Sequence, residues 1–330
     1  MVAPELRTSD IHDRRELFRN QLPHTLRETA YSTLGSRYGG KVRDSYVREG
    51  RRVLIATDRL SAFDVILTTI PFKGQILTQM AAYWFRETAT IARNHVIDQP
   101  HPNVLITEEV EILPIEVVIR GYLAGSAWRD YSAGKPISGI SLPAGMQEFQ
   151  KLERPLITPS TKAPSGTHDE PISREEIIAS GKASEKVWDE VCERATGLFA
   201  FGQARAAERG LILVDTKYEF GLRKSGEVVL ADEIHTPDSS RYWISSSYNE
   251  HLSTGTAPVM LDKEFFRRWL IERGYMGNGT PPEIGDEVRV DLGLRYAQIF
   301  EQITGGTFSG TVGPIEDKIL AAIEGHHSIR

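Results

Sequence analysis

Gly35-Ser36-Arg37-Tyr38-Gly39-Gly40-Lys41-Val42-Arg43-Asp44-Ser45-Tyr46-Val47 is the stretch on which the fold class turns. It follows a phosphate-loop pattern through Lys41 and then departs from it. A P-loop needs Ser or Thr after its Lys, so that a hydroxyl reaches Mg²⁺, and it needs a helix to follow. Val42 instead opens an alternating run that passes a turn at Glu49-Gly50 and returns as Val53-Leu54-Ile55-Ala56-Thr57. Two such runs around a Gly-containing turn predict a β-hairpin. The stretch therefore reads as a glycine-rich turn lying over phosphates at the edge of a hairpin, with Lys41 and Arg43 supplying charge. An ordinary turn explains the glycines as well.

Working outward, residues 75–93 place Gln75, Ile76, Leu77, Met80, Ala81, Trp84 and Phe85 at helical spacing, and 104–119 returns to strand-like runs broken at Pro114. A Pro-, Gly- and Ser-rich segment over about 132–171 has no period and is too long for a plain connector. Ser173-Arg174-Glu175-Glu176 is a capping-box pattern, and 184–209 reads as the longest helix, stopped by Gly210. A second hairpin runs through Leu211-Ile212-Leu213-Val214-Asp215, turns near Ser225-Gly226 and returns to Asp232; 262–273 and 286–304 read as amphipathic helices. Early strands followed by mixed helices and strands favour an α+β fold over regular βαβ winding.

Composition narrows the function. With 330 residues the chain can bury roughly three-quarters of its unfolded surface without disulfide or structural metal. A formal charge of −6 argues against nucleic acid or anionic lipid as partner, because phosphate binding over a broad surface needs a basic one. A single cysteine, Cys192, excludes an internal disulfide and a Cys-based zinc site, and its place on the apolar side of a helix reads as packing. The acidic N-terminal stretch does not fit a transit peptide, and no window approaches the ~20 apolar residues of a membrane helix. The expectation is a cytoplasmic protein.

Chemistry-bearing residues gather in five places. The glycine turn is the first, and Thr57-Asp58-Arg59-Leu60-Ser61-Ala62-Phe63-Asp64, at the end of an apolar strand, is the second; a capped turn explains that one equally well. In Ile112-Leu113-Pro114-Ile115-Glu116-Val117-Val118-Ile119-Arg120-Gly121-Tyr122-Leu123-Ala124-Gly125-Ser126 two charges interrupt an apolar run, so each needs a partner. Glu116 and Arg120, four apart on one strand face, could pair with each other; alternatively Arg120 and Ser126 face an anionic substrate. The fourth is the loop from Thr161-Lys162 to His168-Asp169, where a lone His is more often a loop hydrogen-bonder than a base. The fifth is Asp215-Thr216-Lys217-Tyr218-Glu219-Phe220-Gly221 with Asp232-Glu233 and Asp238-Ser239-Ser240-Arg241. Asp215, Lys217 and Glu219 share a strand face, with Asp232 beside them on the returning strand. A Lys between carboxylates could simply be a solvated cross-strand pair. Like charges facing each other across strands, however, are unfavourable unless a cation sits between them, and Mg²⁺ held by one or two carboxylates plus substrate phosphates fits that demand.

In this order the motifs closely resemble the phosphoribosylaminoimidazole-succinocarboxamide synthase (SAICAR synthetase) family. The segments 112–126 and 213–221 resemble the family's two signature stretches, and the resemblance spans about 39–243. It implies an ATP- and Mg²⁺-dependent ligase that joins 5-amino-1-(5-phosphoribosyl)imidazole-4-carboxylate (CAIR) and L-aspartate in purine biosynthesis, through an acyl phosphate. By carry-over, Gly40, Lys41, Val42, Arg43 and Ser45 contact ATP, with Glu116 and Lys162 near the nucleotide. Glu219 and Asp232 bind Mg²⁺. Ser61, Asp64, Arg120, Ser126, His168, Asp238 and Arg241 bind CAIR or aspartate. Lys217, Asp169 and Lys162 are the catalytic candidates, and the base for the aspartate amine stays open among Asp169, His168 and the substrate phosphate.

The expected architecture is an α+β, two-lobe, kinase-like or ATP-grasp-like nucleotide-binding fold with antiparallel sheets. Residues 1–113 form a β-rich ATP-binding lobe, 114–260 a lobe with metal and substrate site, and 261–330 helices packed on the second lobe. Nothing in the residues selects between monomer and homo-oligomer. A small-molecule kinase on the same scaffold would need His-Arg-Asp-x-x-x-x-Asn and Asp-Phe-Gly, and neither occurs. A nucleotide-gated binding protein has little reason to keep Lys41, Glu219 and Asp232 together.

Overall fold

The computed structural model describes residues 8–162 and 169–327, with side chains from residue 12 onward. In chain order the elements are α1 (Thr8–Gln21), β1 (Arg37–Gly39), β2 (Arg43–Arg48), β3 (Arg51–Ala56), β4 (Arg59–Ala62), β5 (Val65–Thr69), α2 (Lys73–Glu87), β6 (Val96–His101) and β7 (Val104–Glu108). There follow β8 (Glu111–Ile112), β9 (Ile115–Tyr122), α3 (Gly125–Ser132), β10 (Lys151–Ile157), β11 (Ser160–Thr161), α4 (Arg174–Ala179), α5 (Glu185–Glu208) and β12 (Leu211–Leu222). The chain ends with β13 (Val228–Ala231), β14 (Ser240–Ile244), α6 (Ser245–Thr254), α7 (Glu264–Glu272), α8 (Asp286–Thr304) and α9 (Glu316–Gly325). It divides into two compact units: Met1–Tyr83 with Val96–Glu109 and Leu261–Arg330, and Trp84–His95 with Val110–Met260.

The first unit is built on the antiparallel order β1-β2-β3-β7-β6. The predicted β2–β3 hairpin closes through Glu49 (φ 52°) and Gly50 (φ 76°), and two successive positive φ values give the turn whose twist matches its strands. Tyr46, Val53, Ile55, Val104 and Ile106 form an apolar cluster with Ile315, Ile319 and Ile323 of α9 and its approach. Phe266 and Leu270 of α7 pack on Leu60 and Ile70, and Val290, Tyr296 and Ala297 of α8 pack on Phe18, Phe72 and Ile76. Arg14 of α1 donates a two-pronged ion pair to Glu301 of α8, at 2.8 and 2.9 Å. The expectation that 261–330 packs on the second lobe is therefore corrected. These helices complete the first unit's cores, because the early hairpin and α1 present apolar faces that the distant C-terminal stripes help to fill.

The second unit centres on β12, which pairs with β9, β13, β14 and β8. Helix α5 begins at Ser184, whose side chain accepts from Val187 N at 3.3 Å, and its buried stripe includes Trp188, Val191, Ala195, Leu198 and Phe199. Gly210, at φ 71°, follows its end. Burial pushes the Cys192 thiol up to about 11, as expected of a packing residue. The aperiodic 132–171 segment holds a strand that sequence reasoning left as loop: β10 pairs with β9 across a register shift between Lys151 and Leu156. Pro155 and the exposed Glu153 and Arg154 hide its period, as at a sheet edge. Among the described residues no helix is long and apolar enough to cross a membrane.

Candidate active site

Period-two alternation sets Glu116, Val118 and Arg120 of β9 on one face, and register sets Asp215 opposite Arg120 and Lys217 opposite Val118. Glu219 follows two residues on, so the two strands present a continuous polar face. Glu116 and Arg120 do not pair with each other, because the neighbouring strand offers each a better-placed partner. Glu116 accepts from Lys217, and Glu219 accepts from Lys162 just beyond β11. Asp232 follows Ala231, the residue opposite Glu219, and takes the left-handed conformation at φ 59°. Burial, and next the negative charge of Asp232, raise the Glu219 carboxyl above its ordinary range; Lys162 and Lys217 oppose the rise. Burial works against the Lys217 ammonium, yet Glu116, Glu219 and Asp232 together raise it well above the ordinary lysine range.

This is the environment that a divalent cation relieves. Two oxygen-donor side chains lie close enough to repel, one of them buried. Among the described residues no group of three or more His, Cys, Asp or Glu gathers for a metal. A two-carboxylate set fits Mg²⁺ carried by a polyphosphate and does not fit an all-protein cage.

Beyond this cluster lies an arginine clamp. Arg120, 8% exposed, donates to Thr158 Oγ1 at 2.9 Å, Ser126 Oγ at 3.1 Å and Asp215 Oδ2 at 3.3 Å. Arg241 of β14 donates to the same Asp215 oxygen at 2.6 Å. Burial lowers the Arg120 pKa, with Asp215 opposing it, and the guanidinium remains a cation at neutral pH. Ser126 belongs to the first turn of α3, whose N-cap Ala124 provides no side-chain cap, so two guanidiniums and a helix start share one locality. Asp238 lies in the turn before β14, half-buried, and Asp169 is exposed beside β11's partner segment. His168 lies outside the described residues.

In the first unit the turn at 39–43 is tight, Gly40 N donating to Arg43 O at 2.7 Å. Lys41 pairs with Asp64, whose φ is 65°, and so joins two predicted motifs. Val42 and Arg43 are half-buried. Ser45, buried on β2, accepts from Arg52 at 3.0 Å, and Ser61 on β4 lies 3.5 Å from Lys263 Nζ.

A family model described as SAICAR synthetase matches residues 36–282, most of the chain. The chain belongs to the SAICAR synthetase family. A phosphoribosylaminoimidazole-succinocarboxamide synthase of Legionella pneumophila (strain Paris) is 44% identical over 311 residues, covering 92% of this chain and 99% of its own. The SAICAR synthase of Saccharomyces cerevisiae, solved in complex with SAICAR, superposes with a TM-score of 0.76 at 32% identity, over 87% of this chain and 100% of that one. A SAICAR synthetase solved in complex with ADP gives 0.65 at 26% identity, over 83% and 100%. The α+β fold with antiparallel sheets is thus that of SAICAR synthetases.

Two residues of this SAICAR synthetase family member gain definite neighbours in the structure. Asp215 bridges Arg120 and Arg241, and its signal was the register that sets it opposite an interior arginine. Gly125 is the second: at φ 60° a Cβ there would lie 2.2 Å from Arg241 Nη2. Gly125→Ala is expected to push Arg241 off Asp215 and raise the requirement for an anionic substrate about tenfold, with ATP affinity unchanged. Unaltered steady-state constants for every substrate would refute this.

His235 gave no sequence signal. Fully buried at φ 52°, it contacts Tyr218 OH through Nε2 at 2.5 Å, while its carbonyl accepts from Tyr242 OH at 2.7 Å. Burial depresses its pKa to about 3. Because the folded value lies below the ordinary one near 6.5, the neutral ring's contribution is complete above about pH 6.5 and is lost as pH falls towards 3. That loss is on the order of a few kcal/mol. Melting temperatures from pH 7 to 4 should fall less steeply in His235→Gln than in the parent; equal slopes would contradict the assignment.

Proposed function

We propose that this chain joins CAIR and L-aspartate at the expense of ATP, forming SAICAR, ADP and phosphate in purine biosynthesis. It is a carbon–nitrogen ligase that binds ATP. A free carboxylate is a poor electrophile at neutral pH. The reading therefore has the CAIR carboxylate attack the γ-phosphorus of ATP, expelling ADP and leaving an acyl phosphate. The aspartate amine, once deprotonated, then attacks the acyl carbon and expels phosphate. Such chemistry asks the protein for positioning and charge neutralisation.

The observation that carries the reading is the polar sheet face itself, in which Glu116–Lys217 and Lys162–Glu219 pairs, the Glu219–Asp232 carboxylates and the Arg120–Asp215–Arg241 clamp follow one another along β9 and β12. On it, Glu219 and Asp232 would hold Mg²⁺, which when bound neutralises phosphate charge. Lys162 shares Glu219 and lies with the nucleotide, as does Glu116. Arg120, Ser126 and Arg241 take the phosphate and carboxylates of CAIR or aspartate. Asp238, Asp169 and His168 line the substrate side, and Lys217, fixed as a cation by Glu116, acts with Asp169 and Lys162 in the chemical steps. In the first unit Gly40, Lys41, Val42, Arg43 and Ser45 are assigned to ATP, and Ser61 and Asp64 to substrate. The compartment that goes with one cysteine and this pathway is the cytoplasm.

Purified protein with ATP, Mg²⁺ and CAIR, assayed with and without aspartate, tests the reaction. ADP release that requires both acceptors, with SAICAR formed, supports ligation. ADP formed equally well without aspartate points to a kinase, and nucleotide binding without turnover to a gated binding protein.

A further inference from the structure

The Thr57-Asp58-Arg59 segment stands outside every role assigned so far, yet Arg59 is a buried cation, 4% exposed. Three of its acceptors are main-chain carbonyls. Nη2 donates to Gly40 O at 2.9 Å, Nε reaches Lys41 O at 3.4 Å, and Nη1 donates to Arg27 O. Nη2 also donates to Asp44 at 2.8 Å, and Asp44, fully buried, accepts from Arg37 and from Thr29 N as well. The next carbonyl along the turn is taken by Thr57, whose hydroxyl and main-chain N–H reach Val42 O at 2.6 and 3.0 Å. Three successive carbonyls, of residues 40, 41 and 42, are thereby tied to Thr57 and Arg59.

A turn that receives phosphates must offer N–H groups and withhold carbonyl oxygens, since carbonyl and phosphate oxygens repel. We propose that Arg59, assisted by Thr57, is the positioning residue of the phosphate turn, holding the carbonyls of Gly40, Lys41 and Val42 away from the ATP phosphates. The inference rests on the reading that residues 40–43 bind those phosphates. Only a guanidinium serves, because its planar fork meets several acceptors at fixed angles while an ammonium is a single point donor. Asp44 neutralises the buried charge, so the fork is held in place before nucleotide arrives.

The test uses the full chain with Arg59→Lys, Thr57→Val and Lys41→Ala, measuring KM for ATP, CAIR and aspartate, calorimetric affinity for ADP, and melting temperature. Arg59→Lys is expected to raise ATP KM and ADP Kd roughly tenfold, and Thr57→Val about threefold, with the CAIR and aspartate constants within about twofold of the parent. A merely structural Arg59 would lower the melting temperature and the active fraction and leave every KM unchanged, which overturns the proposal. So would a parallel rise in all three KM values. If Lys41→Ala alone raises ATP KM, Arg59's role falls and the phosphate turn stands. If Lys41→Ala leaves ATP KM at the parent value, the phosphate turn itself falls and the inference with it.

Discussion

Glu219→Gln is expected to lower kcat roughly 10³-fold while leaving the protein as stable as its parent. The two effects separate because of where the charge sits. Burial and Asp232 already disfavour the Glu219 carboxylate, so a neutral amide of the same shape removes a desolvation cost from the folded state. Lys217 keeps Glu116 as its partner, and the Lys162 side chain, 39% exposed, can be hydrated. What the amide cannot do is supply the anionic oxygen that a hard divalent cation requires. Parallel measurement of turnover at saturating substrates and of thermal melting decides the matter. Near-normal turnover removes Glu219 from the metal site, and a collapse in melting temperature means that the residue is a structural keystone.

Asp215→Asn carries the second large effect, and here stability moves as well. Asp215 is a carboxylate that Arg120 and Arg241 share, and it is 3% exposed. Neutralising it leaves two guanidiniums close together at a mostly dry site, with hydroxyls of Ser126 and Thr158 as the remaining acceptors of Arg120. Breaking a buried pair by removing one partner costs about 3–5 kcal/mol. Urea unfolding should show that loss as a lowered midpoint. Added phosphate or CAIR should restore part of it, because an anion at the clamp replaces the missing charge. A variant with the parent midpoint would mean that water screens the arginines, and the clamp would lose its standing as a preformed anion site.

Much of this was legible in one dimension because the signals are local. The turn at Glu49-Gly50 needs two positive φ values, and the residues there supply them. Ser173 and Glu176 form the reciprocal cap that their spacing announces. The same-face spacing of Asp215, Lys217 and Glu219 survives intact on β12. What was not legible depends on distant partners. The apolar stripe of α9 is visible in sequence, but nothing local says that it covers Val53, Ile55 and Ile106. The partners of Glu116 and Arg120 came from a strand about a hundred residues away, so an in-strand pair looked equally good. Strand β10 was hidden by Pro155, and His235 by the ordinary look of Glu233-Ile234-His235-Thr236, whose meaning rests on Tyr218 and Trp84 packed around the ring.

The proposed function depends above all on Glu219 and Asp232 together receiving the divalent ion of the nucleotide. A crystal structure of the full chain grown with ADP and Mn²⁺, the ion located by its anomalous scattering, tests it most directly. One Mn²⁺ is expected bonded to a carboxylate oxygen of Glu219 and to one of Asp232, each at about 2.0–2.3 Å, with ADP phosphate oxygens completing its shell. A metal held by the ADP phosphates with both carboxylates outside its shell would contradict it.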